Sequence, residues 1–101
     1  MKKIMLLIGL YLGGLTLAAA QSASGEIARI YANDNNIYFK LKNDSCNPSS
    51  KYYFFSMADE NAEAWYSLML AAANTSKKII VRVASCPTTT NARVVYIYQD
   101  F

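Results

Sequence analysis

Asp59, Glu60 and Glu63 are the only carboxylates that stand close together in this 101-residue chain. A glycosidase needs two such groups facing each other across a cleft. Three acids within one turn of a helix start are better explained by the helix dipole, which favours negative charge there. The chain has no histidine, which removes Ser-His-Asp and Cys-His nucleophilic catalysis and the commonest metal ligand. Its two cysteines are too few for a zinc ribbon or an iron–sulfur cluster. No motif points to Ser-Lys catalysis. The expectation is a binding protein with no catalytic residues, no metal and no cofactor.

Cys46 and Cys86 carry the remaining chemistry. They lack the C-x-x-C spacing of a redox pair, and an even cysteine count in an exported chain reads as a disulfide. Such a bridge closes a loop of about 40 residues and contributes about 4 kcal/mol in the chain-entropy picture. For a domain this small, that is a large share of the total.

Export is read from the first twenty residues. Met1-Lys2-Lys3 supplies a positive start, Ile4–Leu17 an apolar stretch, and Ala18-Ala19-Ala20 the small residues a signal peptidase recognises. Cleavage is expected after Ala20, with Ser22 the second choice. The apolar run is short for a bilayer span and no stop-transfer charges follow it; a permanent single-span anchor is the alternative. The Lys-Lys start and A-x-A exit look bacterial, which implies the periplasm or beyond. Removing Lys2 and Lys3 with the leader takes the formal charge from +3 to +1. A nucleic-acid footprint needs clustered positive charge, so nucleic acid is not an expected partner. Almost all of the aromatic residues stay in the mature part, residues 21–101.

Five strands and one helix are expected to position these groups. Glu26–Ala32 reads as a first strand carrying Ile27, Ile30 and Tyr31. Asn33-Asp34-Asn35-Asn36 follows as a hairpin turn, because Asn and Asp tolerate turn and left-handed geometry. Ile37–Lys42 is the cleanest strand, with Ile37, Phe39 and Leu41 alternating against Tyr38, Lys40 and Lys42. Asn43–Ser50 is a polar loop. Lys51–Ser56 is aromatic on both faces, Tyr52 and Phe54 against Tyr53 and Phe55. The period then changes, and Asp59–Ala73 has helix composition, with Ser56 or Asp59 as cap and Asn74 as a left-handed stop. Lys78–Ser85 and Arg93–Gln99 complete a mainly β order, β-β-β-α-β-β. A helix between the third and fourth of five strands is the order of the OB-fold, a small Greek-key barrel. A ferredoxin-like domain would need a helix after its first strand, where Asn33–Asn36 leaves no room.

The helix carries more apolar surface than one contact needs. At ~100° per residue its apolar side chains, from Ala62 to Ala73, cover roughly 200° of the circumference. Trp65, Leu68, Met69 and Ala72 form the core stripe. Tyr66 and Leu70 are the surplus, expected either under a folded-over loop or at a contact between subunits.

Two stretches carry a resemblance. Gly25–Lys42 (GEIARIYANDNNIYFKLK) resembles the opening hairpin of the Shiga toxin B subunit, and Ser67–Cys86 (SLMLAAANTSKKIIVRVASC) resembles its helix, fourth strand and following cysteine. The order of elements is also that of the subtilase-cytotoxin B subunit. Such B subunits of pentameric A–B toxins are secreted OB-folds that form rings of five with their helices lining a pore. They bind host-cell glycans and carry an enzymatic A subunit. The resemblance therefore implies a homopentamer, a cell-surface carbohydrate ligand and an A-subunit partner. Asn33, Asp34, Asn35 and Asn36 align with an acidic turn that contributes to sugar binding, and Phe55 aligns with an aromatic near that site. Sugar sites pair an aromatic ring with short polar groups, so rings on the outer sheet face are further candidates: Tyr38, Tyr53, Tyr96 and Tyr98. Cross-strand pairing is an equally good account of those four. A non-toxin exported OB-fold protein, an accessory or inhibitor that binds another protein through its aromatic face, is the alternative function.

Overall fold

The computed structural model describes residues 21–100; the expected leader lies outside the described residues. Six strands and one helix follow in the order β1 (Gln21–Gly25), β2 (Ile27–Asn33), β3 (Asn36–Leu41), β4 (Tyr53–Ser56), α1 (Ala62–Asn74), β5 (Ile79–Val83) and β6 (Ala92–Tyr98). The hydrogen-bonded order is β1-β5-β6-β4-β3-β2. Because β1 and β2 are one chain run bent at Gly25-Glu26, the two ends of that order meet and the sheet rolls into a small barrel. All pairings are antiparallel except β4 with β6, which are parallel and matched only at Tyr53↔Ala92 and Phe54↔Arg93. Counting β1 and β2 as one bent strand gives the five-stranded Greek-key order expected for an OB-fold.

The expected first strand began at Glu26; the added piece is β1. Gln-Ser-Ala-Ser-Gly has little strand propensity of its own, and its partner supplies the order, since each of its residues pairs with Ile79–Val83. Gly25 marks the bend for a steric reason. A β-carbon there would sit 2.7 Å from the Lys42 carbonyl oxygen and 3.3 Å from the Leu41 side chain. The chain can cross β3 this closely only without a side chain.

Inside the barrel, alternation decides burial. Ile37, Phe39 and Leu41 point inward as expected, joined by Tyr53, Phe55, Ile79, Val81, Val83, Val94 and Ile97. The helix closes this core with Ala62, Met69 and Ala72, while Trp65, Tyr66 and Leu68 pack against it partly buried. Trp65 meets Phe55 edge to face at 5.4 Å.

The helix starts three residues later than expected. Residues 57–61 form turns instead: the Asp59 N–H donates to the Ser56 carbonyl at 2.9 Å, and the Asp59 carboxylate accepts the Ser56 N–H at 3.1 Å. Asn61 holds the cap position without a side-chain cap. At the other end Asn74 stays helical, and the left-handed residue is Ser76, at φ 54°. The Lys77 N–H donates to Ala72 and the Thr75 hydroxyl to Ala71, satisfying the last carbonyls.

The Asn43–Ser50 loop is built from satisfied polar groups. Buried Asn47 donates to the Lys51 carbonyl and accepts from Ser49. Cys46 and Cys86 are bonded, as expected, with their α-carbons 5.3 Å apart. The loops they join are tied again where the Asn91 side chain accepts the Tyr52 N–H at 2.8 Å and the Ala92 N–H donates to the Tyr52 carbonyl at 2.9 Å.

Tyr53 anchors the same region from inside. Its hydroxyl donates to Asp44 at 2.5 Å, while the other Asp44 oxygen accepts the Cys46 N–H at 3.0 Å. Burial, then the hydrogen bond to Asp44 and the charge of that carboxylate, hold the Tyr53 hydroxyl well above its ordinary value near 10. The folded state keeps this proton when an unfolded tyrosine would lose it, so stability is full below about pH 10 and falls as pH rises. Urea unfolding between pH 8 and pH 11.5 is expected to show this alkaline loss. In Tyr53→Phe the loss should be smaller; an unchanged alkaline profile would remove Tyr53 from that role.

Candidate functional site

The outer faces of β2, β3 and β4 carry three transverse rows of side chains in register. The middle row runs Tyr31↔Tyr38↔Phe54↔Arg93 across β2, β3, β4 and β6. Tyr31 and Tyr38 stack at 4.9 Å with their planes 13° apart, and Tyr38 stacks on Phe54 at 5.8 Å. The Arg93 guanidinium covers Phe54 at 5.2 Å and is held by Asp59 at 3.2 Å. One flanking row is polar, Asn33↔Asn36↔Ser56. The other is cationic, with Arg29 opposite Lys40, and Tyr52 lies against both: its hydroxyl accepts from Arg29 at 2.9 Å and its ring sits 5.4 Å from the Lys40 ammonium. Tyr52 also meets Tyr31 edge to face at 5.2 Å.

This geometry determines what the rings can offer. Tyr38 and Phe54 have both faces covered, by each other and by Tyr31 and Arg93. Both present ring edges, and Tyr38 also its hydroxyl. Tyr31 ends the stack on a strand whose only neighbour along Arg29–Asn33 is β3, and it is 41% exposed. It is the ring with a side left for stacking.

The hairpin turn sits at the head of this face. Asp34 and Asn35 both have positive φ, 51° and 65°, with Asn33 paired to Asn36, the geometry of a tight two-residue hairpin. The Asn35 carbonyl accepts the Met57 N–H at 2.8 Å, which pins the turn to the β4–α1 connection. Asn33, Asp34 and Asn35 are exposed, and half-buried Asn36 donates toward the Tyr38 hydroxyl at 3.4 Å. The turn and Tyr38 therefore belong to one surface.

Four expected site residues fall elsewhere. Phe55 is 0% exposed, packed edge to face between Phe39 and Trp65, so its ring is core and not a sugar contact. Tyr53 is also fully buried and faces inward, not outward with Tyr38. The parity of a strand that is aromatic on both faces is set by its pairing, and Tyr38↔Phe54 puts Phe54 and Tyr52 outside. Tyr96 and Tyr98 are exposed as expected but lie on the other half of the barrel. There they pack together at 6.0 Å, opposite Arg82 and Ile80 on β5. The register slips between Arg82 and Val83, which leaves Val95 unopposed and exposed beside Tyr96.

Tyr31, Tyr52 and Phe54 were not among the expected site residues. A two-residue turn at Asp34-Asn35 places Tyr31 opposite Tyr38, so counting outward from that turn was the available signal. No comparable signal marked Tyr52 and Phe54. On the helix, Tyr66 is partly buried against the core and Leu70 is 39% exposed. Among the described residues no helix is long and apolar enough to cross a membrane.

Set against protein-family models, curated proteins and solved structures, the chain has no match.

The stacked row makes an energetic prediction. A double-mutant cycle of Tyr31→Ala and Tyr38→Ala, read by urea unfolding, should give a coupling of about 0.5–1.5 kcal/mol. Additive losses would mean that the two rings do not support each other.

Proposed function

We propose that this chain is an exported bacterial glycan-binding subunit of the pentameric toxin B type. In this reading it acts as a homopentameric ring that engages cell-surface carbohydrate and delivers an enzymatic A subunit. The observation that carries the reading is the face formed by β2, β3 and β4. There an exposed tyrosine, a row of amide and hydroxyl groups and two cations converge on one surface.

Several features support it. In OB-folds the outer face of the second and third strands, with the adjoining loops, is where oligosaccharides and oligonucleotides dock. Those strands are β3 and β4 here. Sugar recognition asks for a ring against the apolar side of a pyranose and short polar groups for its hydroxyls; Tyr31 and the Asn33–Asn36 turn are such groups. Single-stranded nucleic acid would ask for several free ring faces and a charged track, and most ring faces of this row are covered.

A ring of copies fits the remaining apolar surface. Leu70 is exposed on the helix, and Val95, Tyr96 and Tyr98 are exposed on β6. A single shallow sugar site binds weakly, and five copies on one rigid ring raise the effective concentration for every contact after the first. The same β6 patch favours a second reading, a monomeric exported protein that docks another protein through Val95, Tyr96 and Tyr98.

Light scattering of the protein purified after export separates the two readings. The ring predicts a mass near five times that of the mature chain; a monomer overturns it. On a glycan array the wild type should bind, and Tyr31→Ala should lose about tenfold or more, the effect of removing a stacking ring.

A further inference from the structure

We infer that cleavage after Ala20 creates a modification site: an N-terminal Gln21 that closes on itself to pyroglutamate, with its side-chain carbonyl held by the Cys86 N–H. This rests on the export reading above and does not depend on which ligand the protein takes. Gln21 opens β1 and pairs with Val83 on β5. Its Oε1 accepts the backbone N–H of Cys86 at 3.0 Å.

The chemistry needs no reactant from outside the chain. The unprotonated α-amine of Gln21 attacks its own Cδ, and the new C–N bond closes a lactam ring. Oε1 carries the negative charge of the tetrahedral intermediate. The carbonyl then re-forms as the Cδ–Nε2 bond breaks, and one amine proton leaves with Nε2 as ammonia. An ordinary α-amine titrates at about pH 8, so the reacting form is present at neutral pH. Nucleophile and electrophile belong to one residue, and such intramolecular attack gains from proximity.

Three features of the fold favour this step. The Cys86 N–H is already bonded to the oxygen on which negative charge develops, and a fixed donor there stabilises the intermediate. Gln21 is exposed, so the ring has room to form and ammonia leaves to solvent. The Ser22 hydroxyl accepts from Arg82 at 2.9 Å, which ties the start of β1 to β5 and places a guanidinium on the residue next to the α-ammonium. Closing the lactam removes that terminal charge.

The product keeps what the strand uses. A lactam retains the carbonyl oxygen that Cys86 holds and one N–H on the former terminus. It loses the charge and the free amine on which an aminopeptidase acts. β1 stands at the end of the sheet order with β5 as its neighbour, and a terminal strand is where trimming would begin.

Mass spectrometry of the exported protein, with sequencing of its N-terminal peptide, tests the site. The expected mature chain begins at Gln21, is lighter by one ammonia and has no free α-amine to label. In Gln21→Asn the side chain is too short to close this ring, and the terminal amine should be intact. A fusion cut immediately before Gln21 gives the rate. The folded chain should cyclise about fivefold faster than the same chain reduced and held in urea, the effect of one net hydrogen bond to the developing charge. Equal rates in the two states overturn the part given to the Cys86 N–H. A chain that begins at Gln21 with its amine intact overturns the cyclisation and leaves the export reading standing, as does one that begins at Ala23. A chain that retains residues 1–20 overturns both.

Discussion

Closure of the barrel between β4 and β6 is the constraint on which the rest of this structure depends. Those two strands run parallel and share only two matched pairs, so their ladder alone is a weak seam. The seam is reinforced just outside the sheet. The Cys46–Cys86 bond, the Asn91–Tyr52 hydrogen bond and the Ala92–Tyr52 backbone bond all join the segments that lead into β4 and β6. Asp44 adds a link from the same loop to Tyr53 in the core. A parallel pair cannot be joined by a tight turn and must meet through long-range contacts. The disulfide shortens that search by bringing the two distant loops together.

Once the seam is set, the parity of β4 follows. Its inward residues, Tyr53 and Phe55, complete the core with Phe39 and Trp65. Its outward Phe54 fills the gap between Tyr38 and Arg93. Core and outer face are therefore two results of one registration. A slip of one residue would bury Phe54 and expose Tyr53 with its Asp44 partner, at a cost in both places. The outer row is coherent for the same reason: stacking across β2, β3, β4 and β6 needs all four strands in register at once.

The outer row also shows how an aromatic surface can be large yet offer little free ring area. Rings that stack across strands stabilise the sheet and cover each other's faces. What such a row presents is edges, hydroxyl groups and one terminal ring. The flanks of the row are polar, with the turn amides on one side and the cation pair on the other.

Much of this was legible in the residues themselves. Alternation in Ile37–Lys42 marked the inner and outer faces of β3, because a strand repeats every two residues and burial follows that period. Asn33–Asn36 marked the hairpin, the helical period marked α1, and an even pair of cysteines without C-x-x-C spacing marked the disulfide. Their order was enough for the OB topology. Tertiary structure decided the remainder. Gln21–Gly25 became a strand only because β5 offers a partner, and the helix lost its first residues to the turn that Asp59 makes with Ser56. The faces of Tyr52, Tyr53, Phe54 and Phe55 were undetermined locally, since a run of four aromatics satisfies either parity. Long-range pairing chose one, and with it the residues that form the outer surface. Local periodicity specifies elements, whereas the register between distant strands specifies which side chains meet.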